Sequence, residues 1–145
     1  MKRFNLINTL VSTFLINGGL MFTSISYAET AVIVHPSNTI TMSKKDIQRI
    51  FLGKSKIFPG GRVAIPIDLS LLNPARKKFG KAVLGKSILQ VKSYWARTVF
   101  TGRGIPPKEA DGQEELKKLV AANPNTIGYI DASSLDNSVK VILKF

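Results

Sequence analysis

Cysteine is absent from the 145 residues, so no disulfide holds this chain and a folded domain must rest on its apolar core alone. Histidine occurs once, at position 35. With so few soft ligands, and with no Asp/Glu cluster at ligand spacing, no metal site is expected. The same scarcity argues against hydrolytic chemistry: a serine nucleophile would need His35 as its base, and no Gly-x-Ser-x-Gly elbow is present. His35 reads as a structural polar residue, and neither a catalytic residue nor a cofactor is expected. Acidic residues are also sparse, nine against 21 basic ones. No uninterrupted apolar run reaches the roughly 20 residues that a membrane span requires.

What is present begins with an address. Lys2 and Arg3 precede an apolar stretch from Leu10 through Phe22, and Ser26-Tyr27-Ala28 closes it with small residues at the positions signal peptidase reads. Residues 1–28 are therefore expected to be an export signal cut after Ala28, leaving residues 29–145 as one periplasmic domain that does not span the membrane. No cysteine stands at the cut, so a lipid anchor there has no attachment point. The remainder carries 19 basic and nine acidic residues, a net +10. Such a charge often marks a nucleic-acid binder, but an exported protein rarely meets nucleic acid. Small anions, an acidic partner or anionic envelope lipids fit better.

The pattern along residues 29–145 alternates strands with helices. Ala31–Val34 reads as a buried strand. Ser43-x-x-Asp46 has capping-box spacing ahead of Ile47, Ile50 and Phe51, with Gly53 to close that helix. Val63–Ile67 reads as a second strand, where Pro66 points to an edge or a strand end. Asn73-Pro74 starts a helix, Asn as cap and Pro at the first position, with Ala75, Phe79, Ala82 and Val83 on one face. Ser87 caps another, striped by Ile88, Val91, Trp95 and Val99. A further helix spans Glu114 to Ala122, and strands follow at Ile127–Ile130 and Val139–Leu143. Apolar strands between amphipathic helices predict an α/β fold with a small, mixed, mostly parallel sheet.

One helix start runs against expectation. The N-terminal turn of a helix presents unpaired N–H groups and about half a positive charge, which favours acids. Here Arg76, Lys77 and Lys78 follow Asn73-Pro74 directly. A docked anion would turn that repulsion into attraction, and loops leaving the carboxyl ends of strands are where ligands settle in open α/β sheets. Arg76, whose fork grips two oxygens, is the leading anion-binding candidate, with Asn73, Ser70 and Asp68 beside it. Gly102-Arg103-Gly104 is a weaker candidate through Arg103.

Several of these segments resemble one family in order. Ser43-Lys44-Lys45-Asp46-Ile47-Gln48-Arg49-Ile50-Phe51-Leu52-Gly53, Ile65-Pro66-Ile67, Arg76-x-x-Phe79 and Ala122-Asn123-Pro124-Asn125-Thr126-Ile127-Gly128-Tyr129 are similar to the phosphate-binding proteins of ABC phosphate importers, within the type 2 periplasmic binding proteins. The resemblance is closer still to the short single-domain proteins of that kind. It implies one lobe of the two-lobed receptor, a non-enzymatic role, and phosphate or a similar oxyanion as ligand. It also implies an ABC permease as partner, while the missing lobe and altered anion loop would suit a sensor or an outer-membrane protein instead. The family's Ser-Gly-Thr-Arg helix start reads Asn73-Pro74-Ala75-Arg76 here, so only Arg76 carries over, and an open single lobe implies weak capture. The alternative reading is an envelope interaction or sensory module that keeps the fold without tight anion binding.

Overall fold

A computed structural model describes residues 28–145, so all but the last residue of the expected export signal lie outside the described residues. The central layer is a five-stranded sheet in the order β3-β2-β4-β1-β5. Its strands are β1 (Thr30–Val34), β2 (Ile65–Leu69), β3 (Lys108–Ala110), β4 (Thr126–Asp131) and β5 (Lys140–Lys144). β2 pairs in parallel with both β3 and β4, whereas β1 is antiparallel to β4 and β5. Four strands thus share one direction and β1 opposes them, which agrees with the expected mixed, mostly parallel sheet. β1 is buried along its whole length, as a central strand covered on both faces should be.

Helices cover both faces of the sheet. They are α1 (Lys44–Phe51), α2 (Pro74–Phe79), α3 (Ile88–Phe100) and α4 (Gln113–Ala122). The two faces are assigned by neighbouring residues of β4, because successive strand residues point to opposite sides. Tyr129 stacks on Phe79 of α2, with centroids 4.0 Å apart, and Phe51 of α1 closes the cluster. Gly128 faces Leu116 of α4 so closely that an added Cβ would collide with that side chain. α3 lies beyond α1: Tyr94 donates to the Leu52 carbonyl at 2.6 Å, and Trp95 packs over Gly53. Gly53 has φ of 67° and its Cβ position lies 2.9 Å from the indole, so both the chain reversal and the close approach call for glycine there.

Local signals set the helix starts. Ser43 and Asp46 form the capping box ahead of α1, and Ser87 forms a second one with Gln90 ahead of α3. Asn73 Oδ1 accepts from the Ala75 amide at 3.0 Å, with Pro74 as the first residue of α2. α2 then continues as a π-helical segment, Gly80–Leu84, which ends on Gly85 in the left-handed region.

Two expectations are corrected, and one strand was not expected. Val63 stands outside β2 and makes only an isolated bridge with Ile57. Val99 is half exposed, because the end of α3 runs past the elements that cover Val91 and Trp95. β3 carries no apolar pattern and is a strand only through its pairing with β2. Pro66 does mark a strand end, since β3 pairs with β2 only from Ile67 onward, so the missing N–H breaks no rung on that side. β2 is not an edge strand.

Candidate functional site

Asp68 sits near the carboxyl end of β2, and β2 feeds a short turn into α2. Ser70 makes that turn compact. Its carbonyl accepts from Asn73 N at 3.0 Å and its Oγ from Leu72 N at 3.3 Å. Asn73 then caps α2, so the Ala75 amide is taken by its side chain and the Arg76 amide by the Asn73 carbonyl. The amides that an anion would use at this helix start are therefore already occupied.

Arg76 returns over the turn to the strand ends. Its Nη2 lies 3.2 Å from Asp68 Oδ2, and its Nη1 donates to the Leu69 carbonyl and to Glu109 Oε1, each at 2.5 Å. The guanidinium thus bridges two neighbouring strands, because Glu109 is the β3 residue paired directly with Asp68. Asp68 and Arg76 are largely buried, with side-chain exposures of 9% and 13%, whereas the Glu109 side chain is 50% exposed. The first pair is protected from water and the second is partly screened.

Behind Asp68 stands Tyr129, whose hydroxyl donates to Asp68 Oδ1. The Leu69 amide donates to the same oxygen at 2.9 Å. Stacking on Phe79 fixes the phenol in this position. Burial raises the Asp68 carboxyl above its ordinary range, and the adjacent Arg76 charge opposes that shift without cancelling it. Burial, and after it the Asp68 charge, raises the Tyr129 phenol well above its ordinary value, so it stays protonated and donates. A cavity of about 10 Å³ adjoins Asp68 and Arg76 between Phe79 and Val91, room for one water at most. An anion could reach Arg76 only from the solvent side, where Glu109 stands.

Asp68, Ser70, Asn73 and Arg76 are therefore brought together around one turn. Arg103 is not among them. It is exposed beyond the far end of α3, its amide bonded to Thr98 O, whereas Ile88 at the near end of α3 lies beside Arg76. About 20 Å of helix separates the two ends. Of the other cations at the helix start, Lys78 donates to the Ala28 carbonyl at 2.9 Å and Lys77 is exposed. His35 bonds Ser37 within its own turn. The described residues contain no group of three potential metal ligands.

Two members of the site escaped the sequence reading. Glu109 lies in a three-residue strand with no pattern of its own. Tyr129 entered only as part of an apolar strand and of a family-like segment, with no role at the site. A tyrosine in an otherwise aliphatic buried strand was the available signal, since a buried hydroxyl needs a partner.

No protein-family model matches the chain, and neither does any curated protein. Solved structures do. A protein described as a phosphate ABC transporter substrate-binding protein from Clostridium perfringens, solved with phosphate bound, matches with TM-score 0.64 and 24% identity over 79% of this chain. An ABC-type phosphate transport receptor from Vibrio cholerae matches with TM-score 0.60 and 19% identity, again over 79%. PstS from Borrelia burgdorferi follows at 0.58 and 14%. The match covers 45%, 46% and 47% of those chains, so this chain spans under half of their length. At such identities the likeness is one of fold.

Proposed function

We propose that this chain is a non-enzymatic binding domain, exported to the periplasm, that takes phosphate or a similar oxyanion weakly at the solvent side of Arg76. The observation that carries the proposal is the unequal holding of that guanidinium. Asp68 grips it from the buried side and fixes its orientation, while the half-exposed Glu109 occupies the position an anion would take. A partly exposed ion pair is worth about 0–1 kcal/mol, so displacing Glu109 costs little. The Ser70 hydroxyl proton and the Asn73 Nδ2 amide, neither with an acceptor among the described residues, would add donors at the rim. Asp68 would keep its contact with Arg76 throughout. With one guanidinium, no free helix amides and open solvent on one side, millimolar affinity is expected rather than enclosed capture.

Calorimetry of the chain with phosphate and with sulfate tests this. Saturable binding is expected, tightening up to about fivefold in Glu109→Gln, the equivalent of about 1 kcal/mol. Absence of saturation in both wild type and Glu109→Gln at millimolar anion would overturn it. The second reading, favoured by the same internal carboxylate on Arg76, is an envelope interaction module whose anion position is permanently filled. Its partner would be an ABC permease, a sensor or an outer-membrane protein, and recovery of one such complex without added phosphate supports it.

A further inference from the structure

We propose that the C-terminal end of α3 and the turn after it seat this protein on an anionic lipid surface. Phe100 is 92% exposed and Ile105 83% exposed. Side chains left that open project from the surface instead of lying within a flat patch, where neighbours would cover part of each. They stand five residues apart on either side of a tight reversal, in which Gly102 has φ of 65° and Arg103 N bonds Thr98 O at 3.0 Å. Val99, also half exposed, adds to the same tip. Burying such groups among acyl chains and headgroups is favourable.

The charges around the tip select the kind of surface. From Leu69 to Lys108 the chain holds nine basic residues and no acidic one. Arg97, Arg103 and Lys108, around and beyond the end of α3, are all exposed. Among the described residues none of them has a carboxylate within 4.0 Å, unlike Arg76 and Lys117, which each have two. Projecting apolar side chains flanked along the chain by exposed cations without a carboxylate partner fit a peripheral membrane contact, where headgroup charge and apolar insertion act together. A folded acidic protein would need two pockets to receive Phe100 and Ile105, whereas a bilayer needs none. No helix among the described residues is long and apolar enough to cross the membrane, so the contact is superficial. It does not depend on the anion position at Arg76.

The absence of native cysteine permits a local test. A polarity-sensitive fluorophore on Thr101→Cys reads the tip, and one on Lys118→Cys reads exposed α4 on the opposite face of the sheet. The labelled full-length chains are mixed with phosphatidylcholine vesicles, or with vesicles carrying about one quarter phosphatidylglycerol. Because the readout is local, contact through residues 1–28 does not imitate it. The expected result is a blue shift at position 101 with the anionic vesicles only, weakened by high salt, and none at position 118. Adding Phe100→Ser and Ile105→Ser should lower the partition coefficient by about tenfold or more. No shift at position 101, an equal shift at both positions, or indifference to the double serine change would overturn the proposal. The same shift produced by soluble polyglutamate alone would also overturn it, in favour of an acidic protein partner.

Discussion

Arg76 and Arg103 are the same residue in opposite circumstances. Arg76 is folded between strands, with a buried carboxylate, a backbone carbonyl and a second carboxylate around it. Arg103 stands in a turn with no carboxylate near it among the described residues. The difference lies in where the sparse acids are placed. Asp68 and Glu109 bound a forty-residue stretch without acids, and β2–β3 pairing brings those two ends together beneath Arg76. Among the described residues no other cation within the stretch has a carboxylate within 4.0 Å. Charge count alone would have treated them all alike.

The widest gap between the two arginines should appear in stability. Arg76→Ala leaves Asp68 buried beside no cation, and loss of one partner from a buried pair costs about 3–5 kcal/mol. Arg103→Ala should change stability by less than about 0.5 kcal/mol. Urea midpoints for the two variants measure the contrast, and equal midpoints would dissolve it. Tyr129→Phe sharpens the account of the buried side: it removes the hydroxyl that donates to Asp68, at a cost of about 1–3 kcal/mol.

The smallest effect is a slope with pH. Burial holds the Asp68 carboxyl above its ordinary value, so the folded chain takes up that proton more readily than the unfolded chain. The stability it contributes is complete below the ordinary carboxylate pKa and declines as pH rises through the raised folded value. Asp136 works in the opposite sense. Lys117 holds it well below the ordinary range, so its contribution is present above that range and lost on acidification. Urea midpoints from pH 3 to 7 for wild type and Asp68→Asn should show the declining component only in wild type. Identical slopes would remove Asp68 as its source.

Much of the fold was legible because its signals are local. Ser43 with Asp46, Ser87 as a cap, and Asn73 with Pro74 each mark a helix start locally, and all three starts are observed. Apolar runs located β1 and β4 for the same reason. What stayed hidden depends on distant partners. Lys108-Glu109-Ala110 is a strand because β2 offers it an edge. Val99 fits the periodicity of α3, but among the described residues none buries it, and it stays half exposed. At the candidate site, the turn from Asp68 to Arg76 was readable, since strand, cap and cation follow one another along the chain. The carboxylate on the outer side of Arg76 and the phenol behind Asp68 come from 33 and 61 residues away respectively. No spacing rule reaches that far.

The lone indole packed against Gly53 has a practical consequence. With a single tryptophan in the sequence, intrinsic emission reports on one joint, that between the end of α1 and the middle of α3. Any event that pries this seam apart should redden the spectrum, while events confined to the far side of the sheet should leave its colour unchanged. The molecule thus carries its own gauge for distinguishing a partial opening from wholesale denaturation.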